Sequence, residues 1–253
     1  MFSAIVTGAA RGIGLATTKR LLKSGYRVAM VDWDAEELAM ISSQLGNEVI
    51  ALPFDISHPD QVAEIVESVE TEFGTCNALV NNAGVADFGP IGETDFERWR
   101  RVMSINLDGT FLMSQAVCPL LAQTAKEEHA SIVNIASISG LRASTLRVAY
   151  GTSKAAVKHL TLQQAAEYGE FGVRANCVAP GPVDTKLALA VHSPEIRMAY
   201  HDALPLNRYG SEDEIAAAIC FLLSPDASFI TGQILAADGG FEAVGIGLPA
   251  LRS

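Results

Sequence analysis

Short apolar runs alternate with longer segments of mixed polarity along the whole chain. The short runs are rich in Val, Ile and Ala, which is typical of buried strands, and the longer segments carry apolar residues at helical spacing. The pattern predicts strands at Ala4–Thr7, Arg27–Val31, Val49–Pro53, Ala78–Asn81, Ser131–Ser137, Arg174–Ala179 and Gln233–Ala236. It predicts helices at Gly12–Ser24, Asp34–Leu45, Pro59–Phe73, Phe96–Thr124, Ala149–Phe171 and Ser211–Leu223.

This alternation predicts an α/β fold in which helices cover both faces of a parallel sheet. No linker, repeat or charge block interrupts the chain of 253 residues, so we expect one domain over residues 1–253. The longest irregular segment is Pro180–Gly210, and a long loop in a compact domain is usually functional. We therefore expect residues 180–210 to form a substrate loop.

Composition removes several classes of function. Hydrophobic residues make up 49% of the chain, and the formal net charge is −11 with no basic run, which disfavours nucleic acid or an anionic membrane as a partner. No apolar stretch is long enough for a membrane helix, and we see no signal peptide, so we expect a cytoplasmic protein. The four cysteines lack metal or redox spacing, which favours reduced thiols and no metal site.

A serine, a tyrosine and a lysine form the most informative pattern in the chain. Ser137 closes an apolar run, and Tyr150 and Lys154 lie one turn apart on the same face of a predicted helix. A nearby ammonium group favours the phenolate and lowers the phenol pKa from about 10. This set is suited to moving a proton on or off an alcohol. A surface Tyr–Lys pair remains the alternative, because the spacing is common.

Glycines follow the first predicted strand in the run Thr7–Gly14, with the spacing G-x-x-x-G-x-G. Glycine permits a tight turn, and the amino terminus of the next helix attracts a pyrophosphate group. Asp32 ends the second predicted strand, where a carboxylate accepts hydrogen bonds from ribose hydroxyls and repels a 2′-phosphate. The sequence therefore favours NAD(H) over NADP(H), with a purely structural turn as the alternative.

Two neighbouring side chains complicate this choice of cofactor. Arg11 lies in the glycine turn, where a guanidinium could meet a 2′-phosphate. Asp32 could instead cap the helix that follows, although Asp34 suits that role better. We expect Asp32 to decide the preference and Arg11 to lie at the surface or to attract the dinucleotide generally.

In this order the motifs resemble the short-chain dehydrogenase/reductase family over nearly the whole chain. The matching pieces are Thr7–Gly14, Asp32, Asp55–Ile56, Asn81–Gly84, Asn106, Ser137, Tyr150, Lys154, Pro180–Thr185, Ile230–Gln233 and Asp238–Gly240. The resemblance implies a Rossmann-like, doubly wound sheet of about seven strands and a nicotinamide dinucleotide cofactor. It also implies a homotetramer assembled through Phe96–Thr124, Ala149–Phe171 and the last strand.

The resemblance further implies roles for single residues. Tyr150 is the acid/base, Lys154 binds the nicotinamide ribose and lowers the pKa of Tyr150, and Ser137 orients the substrate oxygen. Asn106 sits at a helix irregularity and holds a water that links the lysine to solvent. The family spacing to the tyrosine selects Ser137 over Ser139. The expected cofactor contacts are Gly8, Arg11, Gly12, Ile13, Gly14, Asp32, Trp33, Asp55, Ile56, Asn82, Ala83, Gly84, Tyr150, Lys154, Pro180, Gly181, Val183 and Thr185.

The substrate is less well defined by the sequence. We expect substrate contacts from Ser139, Leu141, Leu146 and Leu187. An apolar wall is suggested by loop residues Leu187, Leu189, Val191, Met198 and Leu204. We expect a small or medium apolar ketone or alcohol, or a sugar-like polyol. The alternatives are a 3-oxoacyl-[acyl-carrier-protein] reductase, whose usual NADPH preference Asp32 disfavours, and a non-catalytic dinucleotide sensor. Two roles are possible for the polar residues of this loop: they either determine the substrate or lie on the solvated face of a lid. These residues are His192, Glu195, Arg197 and His201. The tail Phe241–Ser253 either reaches a neighbouring subunit or is a frayed terminus.

Overall fold

The computed structural model describes residues 1–185 and 192–244. Within these residues, seven strands form one parallel sheet in the order β3-β2-β1-β4-β5-β6-β7. The strands are β1 (Ser3–Thr7), β2 (Arg27–Val31), β3 (Val49–Leu52), β4 (Ala78–Asn81), β5 (Ala130–Ile135), β6 (Val173–Pro180) and β7 (Ile234–Ala237).

Helices connect these strands and cover both faces of the sheet. They are α1 (Gly12–Lys23), α2 (Ala35–Ser42), α3 (Pro59–Phe73), α4 (Phe96–Met103), α5 (Gly109–Thr124), α6 (Ile138–Leu141), α7 (Val148–Tyr168), α8 (Pro194–Ala203) and α9 (Glu212–Leu223). Short 3-10 turns lie at Ile91–Glu93, Gly169–Phe171 and Pro225–Ala227.

Side chains of the central strand alternate between two apolar layers. Ala4 and Val6 pack with Leu21 of α1 and Ile219 of α9, whereas Ile5 packs in the opposite layer with α3 and α5. Every residue of β1 is buried, because helices cover both faces. The predicted fold class, a doubly wound α/β sheet, is confirmed. The single domain over residues 1–253 stays a prediction.

The strand order reverses beside β1, and this reversal creates the crevice in which ligands bind in such sheets. β2 and β3 lie on one side of β1, and β4 to β7 lie on the other. The connections after β1 and β4 therefore leave in opposite directions and open a gap at the carboxyl edge. The glycine turn follows β1 at this gap, and Asn82 follows β4.

The serine strand is shorter than the sequence predicts. β5 ends at Ile135, and Ser137 is instead the N-cap residue of α6, where its Oγ accepts a hydrogen bond from Ser139 N at 3.1 Å. Serine is a favoured N-cap residue, so it starts the helical turn instead of extending the strand. Ser137 remains at the carboxyl end of β5.

The predicted single helix over Phe96–Thr124 is interrupted. A π-helical segment, Ser104–Asp108, separates α4 from α5, and Asn106 lies in its middle. Single π turns inside α-helices occur frequently at functional sites. The helix irregularity that the family resemblance implied at Asn106 is therefore present.

The prediction of an irregular segment over Pro180–Gly210 is wrong in part, because α8 lies within it. Ser193 Oγ caps this helix by accepting from Ile196 N at 3.4 Å, and Pro194 occupies its first turn. Serine followed by proline is a signal for the start of a helix, and the prediction of one long irregular segment did not take it into account.

Membrane-spanning helices and metal sites are considered for the described residues only. Within 1–185 and 192–244, no helix is long and apolar enough to cross a membrane. In the same residues, no group of three or more His, Cys, Asp or Glu is arranged to hold a metal ion. The four cysteines are free.

Close packing of α6 on α7 requires a glycine at position 140. A Cβ there would lie 2.6 Å from the carbonyl carbon of Lys154 and 2.8 Å from Ala155 N. Gly140→Ala should lower the free energy of unfolding by about 1–3 kcal/mol in urea titrations, because backbone atoms must shift. Gly169→Ala is the matched control, since nothing lies within 4 Å of its Cβ position and its φ is −58°. Equal losses in both variants would contradict the packing argument.

Candidate active site

The first helix begins at the edge of the crevice, and its N-cap residue, Arg11, provides no side-chain cap. α1 has no side-chain cap and no acidic residue in its first turn, although the first N–H groups of a helix have no backbone partners. Gly8 and Gly12 turn the chain with φ of 63° and 60°. A Cβ on Gly14 would lie 2.1 Å from the Gly8 carbonyl oxygen. These features fit a bound pyrophosphate group.

Asp32 is buried beside this turn and is held by two backbone donors. Its carboxylate accepts from Ala10 N at 3.0 Å and from Asp34 N at 3.1 Å. Each oxygen keeps a second acceptor position that a ribose hydroxyl can use. Asp34 is the cap of α2, accepting from Glu37 N at 3.2 Å, so Asp32 is free of that role.

Arg11 and Trp33 border Asp32 at the protein surface. Arg11 forms an ion pair with Asp34, with its side chain 53% exposed, which agrees with the expectation of a surface residue. Trp33 is 74% exposed. Their contacts with a cofactor stay predictions.

Asn82 and Ala83 fasten the glycine turn to the end of β4. Asn82 Nδ2 donates to Thr7 O at 2.9 Å and to Gly8 O at 3.1 Å. Thr7 Oγ1 accepts from the backbone N–H groups of Asn82 and Ala83, each at 3.0 Å. The side chain of Asn82 therefore supports the turn, and it also lines the central cavity.

Asp55 and Ile56 follow β3 at the same edge of the sheet. Asp55 Oδ1 accepts from Ser57 N at 2.9 Å and from Ser57 Oγ at 2.8 Å, which fixes the loop. Ile56 is 4% exposed and packs in the layer formed with α3 and α5. Contact of these two residues with an adenine ring stays a prediction.

Ser137, Tyr150 and Lys154 line one cavity of about 210 Å³. Lys154 is buried, its Nζ donates to Ile135 O at 2.8 Å, and this nitrogen lies 5.9 Å from the centre of the Tyr150 ring. Gly84 leaves room for this arrangement, because a Cβ there would lie 3.3 Å from Lys154 Nζ. The three side chains that the sequence singled out are thus brought together.

The pKa of Tyr150 is set mainly by burial. Burial raises this pKa, while a hydrogen bond with Ser137 and the positive charge of Arg147 act in the opposite direction. Burial also lowers the pKa of Lys154 to about 8. The cation that opposes the rise in the Tyr150 pKa is Arg147. A lowering of the Tyr150 pKa by Lys154 stays a prediction.

Asn106 connects the π-helical segment to the start of α7. Its Oδ1 accepts from Val85 N at 2.8 Å, and its Nδ2 donates to Val85 O at 2.9 Å and to Ser153 Oγ at 3.0 Å. Ser153 Oγ in turn donates to the Tyr150 carbonyl oxygen at 2.8 Å. Sequence reasoning missed Ser153, because a buried serine beside a lysine carries no pattern of its own. The water held by Asn106 stays a prediction.

The segment after β6 forms another wall of the cavity. Gly181 N donates to Ala237 O at 3.0 Å, and a Cβ on Gly181 would lie 2.6 Å from Asp238 Cα. Val183 forms an isolated bridge with Gly210. These contacts fix the backbone of residues 180–185, and Pro180, Gly181, Val183 and Thr185 all line the cavity.

Of the three expected substrate residues that the structure describes, one lines this cavity. Ser139 does so, and its Oγ lies 2.9 Å from Ser144 Oγ. Leu141 is not among the lining residues, because α6 is a single turn that packs this leucine on the apolar cluster of Ala136 and Cys177. Leu187 lies outside the described residues.

Leu146 is also absent from the cavity wall, which corrects the sequence expectation. It is 50% exposed and has a φ of 63°, and the next residue, Arg147, lines the cavity instead. Phe88, His192 and Tyr200 complete this wall. Among the other polar candidates of the loop, Arg197 is paired with Asp184, at 2.7 Å.

Comparisons with known proteins agree with this geometry. Residues 8–242 match the family model described as enoyl-(acyl carrier protein) reductase. The 2-(S)-hydroxypropyl-CoM dehydrogenase 3 of Xanthobacter autotrophicus is 37% identical, with 94% of this chain and 96% of that protein covered. The galactitol 2-dehydrogenase (L-tagatose-forming) of Cereibacter sphaeroides is 39% identical, with 94% of each chain covered.

A solved structure with a known ligand has a fold similar to that of this chain. The 3-ketoacyl-(acyl-carrier-protein) reductase from Brucella melitensis, in complex with NADH, has a TM-score of 0.90 and 30% identity, covering 95% of this chain and 98% of that chain. The present chain therefore belongs to the short-chain dehydrogenase/reductase family and is an oxidoreductase. The resemblance inferred from the sequence is confirmed.

The Asn106 network makes a prediction about stability. Asn106→Ala leaves Val85 N–H and Ser153 Oγ without this buried partner, so the free energy of unfolding should fall by about 1–3 kcal/mol. Asn47→Ala, at an exposed turn residue, is the control and should change it by less than about 0.5 kcal/mol. Urea unfolding monitored by circular dichroism measures both. A loss in Asn106→Ala no larger than in the control would exclude a structural role for this network.

Proposed function

We propose that the protein interconverts a secondary alcohol and a ketone with NAD(H), using Tyr150 as the acid/base. The observation that carries the proposal is one cavity shared by Tyr150, Ser137 and Lys154, at the crevice where α1 presents its free amino terminus. Asn106 supports the tyrosine through Ser153. The family membership supplies the reaction class.

Proton transfer follows from the hydrogen-bonding state of two hydroxyl groups. Ser137 Oγ accepts from Ser139 N, so its own hydrogen can point to Tyr150, with which it is hydrogen-bonded, or to a substrate oxygen that takes that place. In oxidation, Tyr150 as phenolate accepts the proton of the alcohol, and in reduction the phenol returns it. The nicotinamide, when bound, supplies or accepts the hydride. Ser137 stabilises the charge that develops on the substrate oxygen.

The proposed cofactor is NAD(H), held by the residues around the crevice. Uncapped N–H groups of α1 would bind the pyrophosphate, and Asp32 would accept from the ribose hydroxyls. Lys154 would bind the nicotinamide ribose. Preference over NADP(H) rests on the buried carboxylate of Asp32, because a 2′-phosphate beside it would be repelled. The Brucella reductase, solved with NADH, is similar to this chain.

Two narrower activities fit the same site. A small ketone, alcohol or polyol is supported by the similarity to a galactitol dehydrogenase, and a 3-oxoacyl-[acyl-carrier-protein] reductase by the similarity to the Brucella enzyme. Asp32 disfavours the usual NADPH preference of the second class, although the Brucella enzyme itself was solved with NADH. A sensor without turnover is disfavoured, because Tyr150 and Lys154 are both present and share the cavity with Ser137.

Assembly as a homotetramer is part of the proposal. Exposed apolar side chains lie on the elements expected to meet: Phe96 (73% exposed) on α4, Phe111 (46%) on α5, Leu162 (39%) on α7 and Leu235 (38%) on the last strand. Burial of such side chains between subunits would remove apolar area from water. A cytoplasmic location stays a prediction from the sequence.

Replacing the tyrosine tests the acid/base assignment. Tyr150→Phe should lower kcat for alcohol oxidation by about 10²- to 10⁴-fold or more, because no group remains to accept the proton. NADH affinity, measured by fluorescence titration, should stay within about twofold, since the ring is retained. Activity near that of the parent enzyme would rule out Tyr150 as the acid/base.

Neutralising Asp32 tests the cofactor preference. Asp32→Asn keeps an oxygen to accept from Ala10 N but removes the charge that repels a 2′-phosphate. The ratio of kcat/KM for NAD+ to that for NADP+ should fall by about tenfold or more, which is about 1.4 kcal/mol. Glu64→Gln, which removes one negative charge from an exposed position of α3, serves as control and should leave the ratio within about threefold. An unchanged ratio in Asp32→Asn, or a parent enzyme that prefers NADP+, would contradict the role of Asp32.

A further inference from the structure

Arg147 is a cation in the active-site cavity, and no carboxylate in residues 1–185 and 192–244 forms an ion pair with it. It lines the cavity together with Tyr150 and Ser137. In the described parts of the chain it takes part in none of the ion pairs, whereas Arg142 nearby pairs with Glu242 at 2.7 Å. Residues 186–191 and 245–253 contain no Asp or Glu that could supply one. Among the described residues, no side-chain carboxylate therefore neutralises this charge.

The backbone holds Arg147 at the rim of the cavity. Gly89 and Arg147 form an isolated bridge, and Gly89 N donates to Leu146 O at 3.0 Å. Leu146 has a φ of 63°, a conformation that non-glycine residues adopt rarely. Such conformations persist where the surrounding structure enforces them, and they cluster at binding sites. The turn before α7 thus places the arginine.

Aromatic and imidazole groups orient the guanidinium. Its carbon lies 4.7 Å from the ring centre of Phe88 and 6.0 Å from that of Tyr150. Nη2 lies 3.3 Å from His192 Nε2, and His192 Nδ1 lies 3.0 Å from Tyr209 Oη. A guanidinium only donates, so Nε2 accepts and the Nδ1–H donates to Tyr209.

His192 is therefore a neutral partner of the guanidinium. Burial lowers the pKa of His192, and the positive charges of Arg147 and Arg197 lower it further. Phe88 and Tyr150 offer only ring faces, and His192 only a neutral nitrogen. These contacts fix the direction of the guanidinium without cancelling its charge.

We propose that Arg147 binds an oxyanion, such as a carboxylate, carried by the alcohol or ketone substrate. The proposal rests on the proposed function and narrows its substrate class. A guanidinium has a planar fork that matches a carboxylate with two parallel hydrogen bonds, and a partly buried charge without a counter-ion gains most from such a partner. Because the guanidinium carbon is 6.0 Å from the Tyr150 ring centre, the anionic group belongs within a few carbon atoms of the reacting carbon.

This assignment adds an anionic group to the small ketone, alcohol or polyol that we expect from the sequence. Leu141 and Leu146, two of the expected substrate contacts, do not line the cavity. Phe88 and Tyr200 leave apolar surface for a short carbon chain between the reacting carbon and the anion. The cavity therefore combines a proton-transfer group at one position with an anion site at another.

Matched ketone pairs test the proposal. Levulinate and methyl levulinate, and acetoacetate and methyl acetoacetate, differ in a single charge, and their reduction is followed by NADH absorbance. The parent enzyme should show a higher kcat/KM for the acid of each pair. In Arg147→Gln the ratio of kcat/KM for acid to ester should fall about 10- to 100-fold, mainly through KM, because charge-assisted hydrogen bonds are lost.

Two further variants separate binding from other effects of the charge. Arg147→Lys keeps the charge but loses the planar fork, so its ratio should be intermediate. Lys126→Gln removes one positive charge from an exposed turn, where Nζ contacts Gln123 Oε1, and should leave the ratio unchanged. Equal losses for acid and ester in Arg147→Gln would show that the arginine acts only on Tyr150, which overturns the proposal, as would a parent enzyme without preference for the acids.

A binding measurement distinguishes failure of this proposal from failure of the proposed function. Levulinate is titrated calorimetrically into the Tyr150→Phe variant with NADH present, where turnover is not needed. Tenfold weaker binding of levulinate after the additional Arg147→Gln change supports the anion site. This support holds even if the parent enzyme reduces no ketone, because that failure would contradict only the proposed reaction class. Equal binding of levulinate with and without Arg147, or tighter binding of its methyl ester, would overturn the anion site while leaving ketone reduction intact.

Discussion

The pairing of β1 with both β2 and β4 is the constraint on which the rest of this structure depends. Parallel register aligns the carboxyl ends of these strands, and hydrogen bonds between Thr7 and the Asn82–Ala83 backbone close the first turn against β4. The free amino terminus of α1 then faces the crevice from one side. Without this link the glycine turn would have no fixed position relative to the residues after β4.

From that edge, the site is built by contacts between elements that are distant in sequence. Gly84 follows β4 and leaves space for Asn106 Oδ1, at 3.1 Å from its Cβ position, and for Lys154 Nζ. Asn106 reaches α7 through Ser153, whose hydroxyl contacts the Tyr150 carbonyl. The backbone of the tyrosine is therefore linked to the π-helical segment. A displacement of this segment by about an ångström would change the position of the Tyr150 hydroxyl group and lower the reaction rate.

The electrostatics of the cavity differ from the simple picture of a tyrosine beside a lysine. Lys154 is buried and engaged with Ile135 O, while Arg147 is the nearby cation that lowers the pKa of Tyr150 against the effect of burial. A single arginine can thus act on the acid/base and recognise the substrate. Binding of an anionic substrate to Arg147 would therefore also change the electrostatic effect of this arginine on the pKa of Tyr150.

The sequence alone determined the parallel α/β fold, the glycine turn, Asp32, and the grouping of Ser137, Tyr150 and Lys154. These features depend on periodicity, on residues with special backbone freedom and on family motifs, which are local properties of the chain. Only the tertiary structure decided that Leu141 packs against the cluster of Ala136 and Cys177, that Ser153 bonds Asn106, and that Arg147 lines the cavity. The physical reason is that the side chain that faces the cavity depends on the local backbone conformation, here the left-handed conformation of Leu146. It also depends on contacts with residues distant in sequence, which the spacing of residues along the chain does not predict.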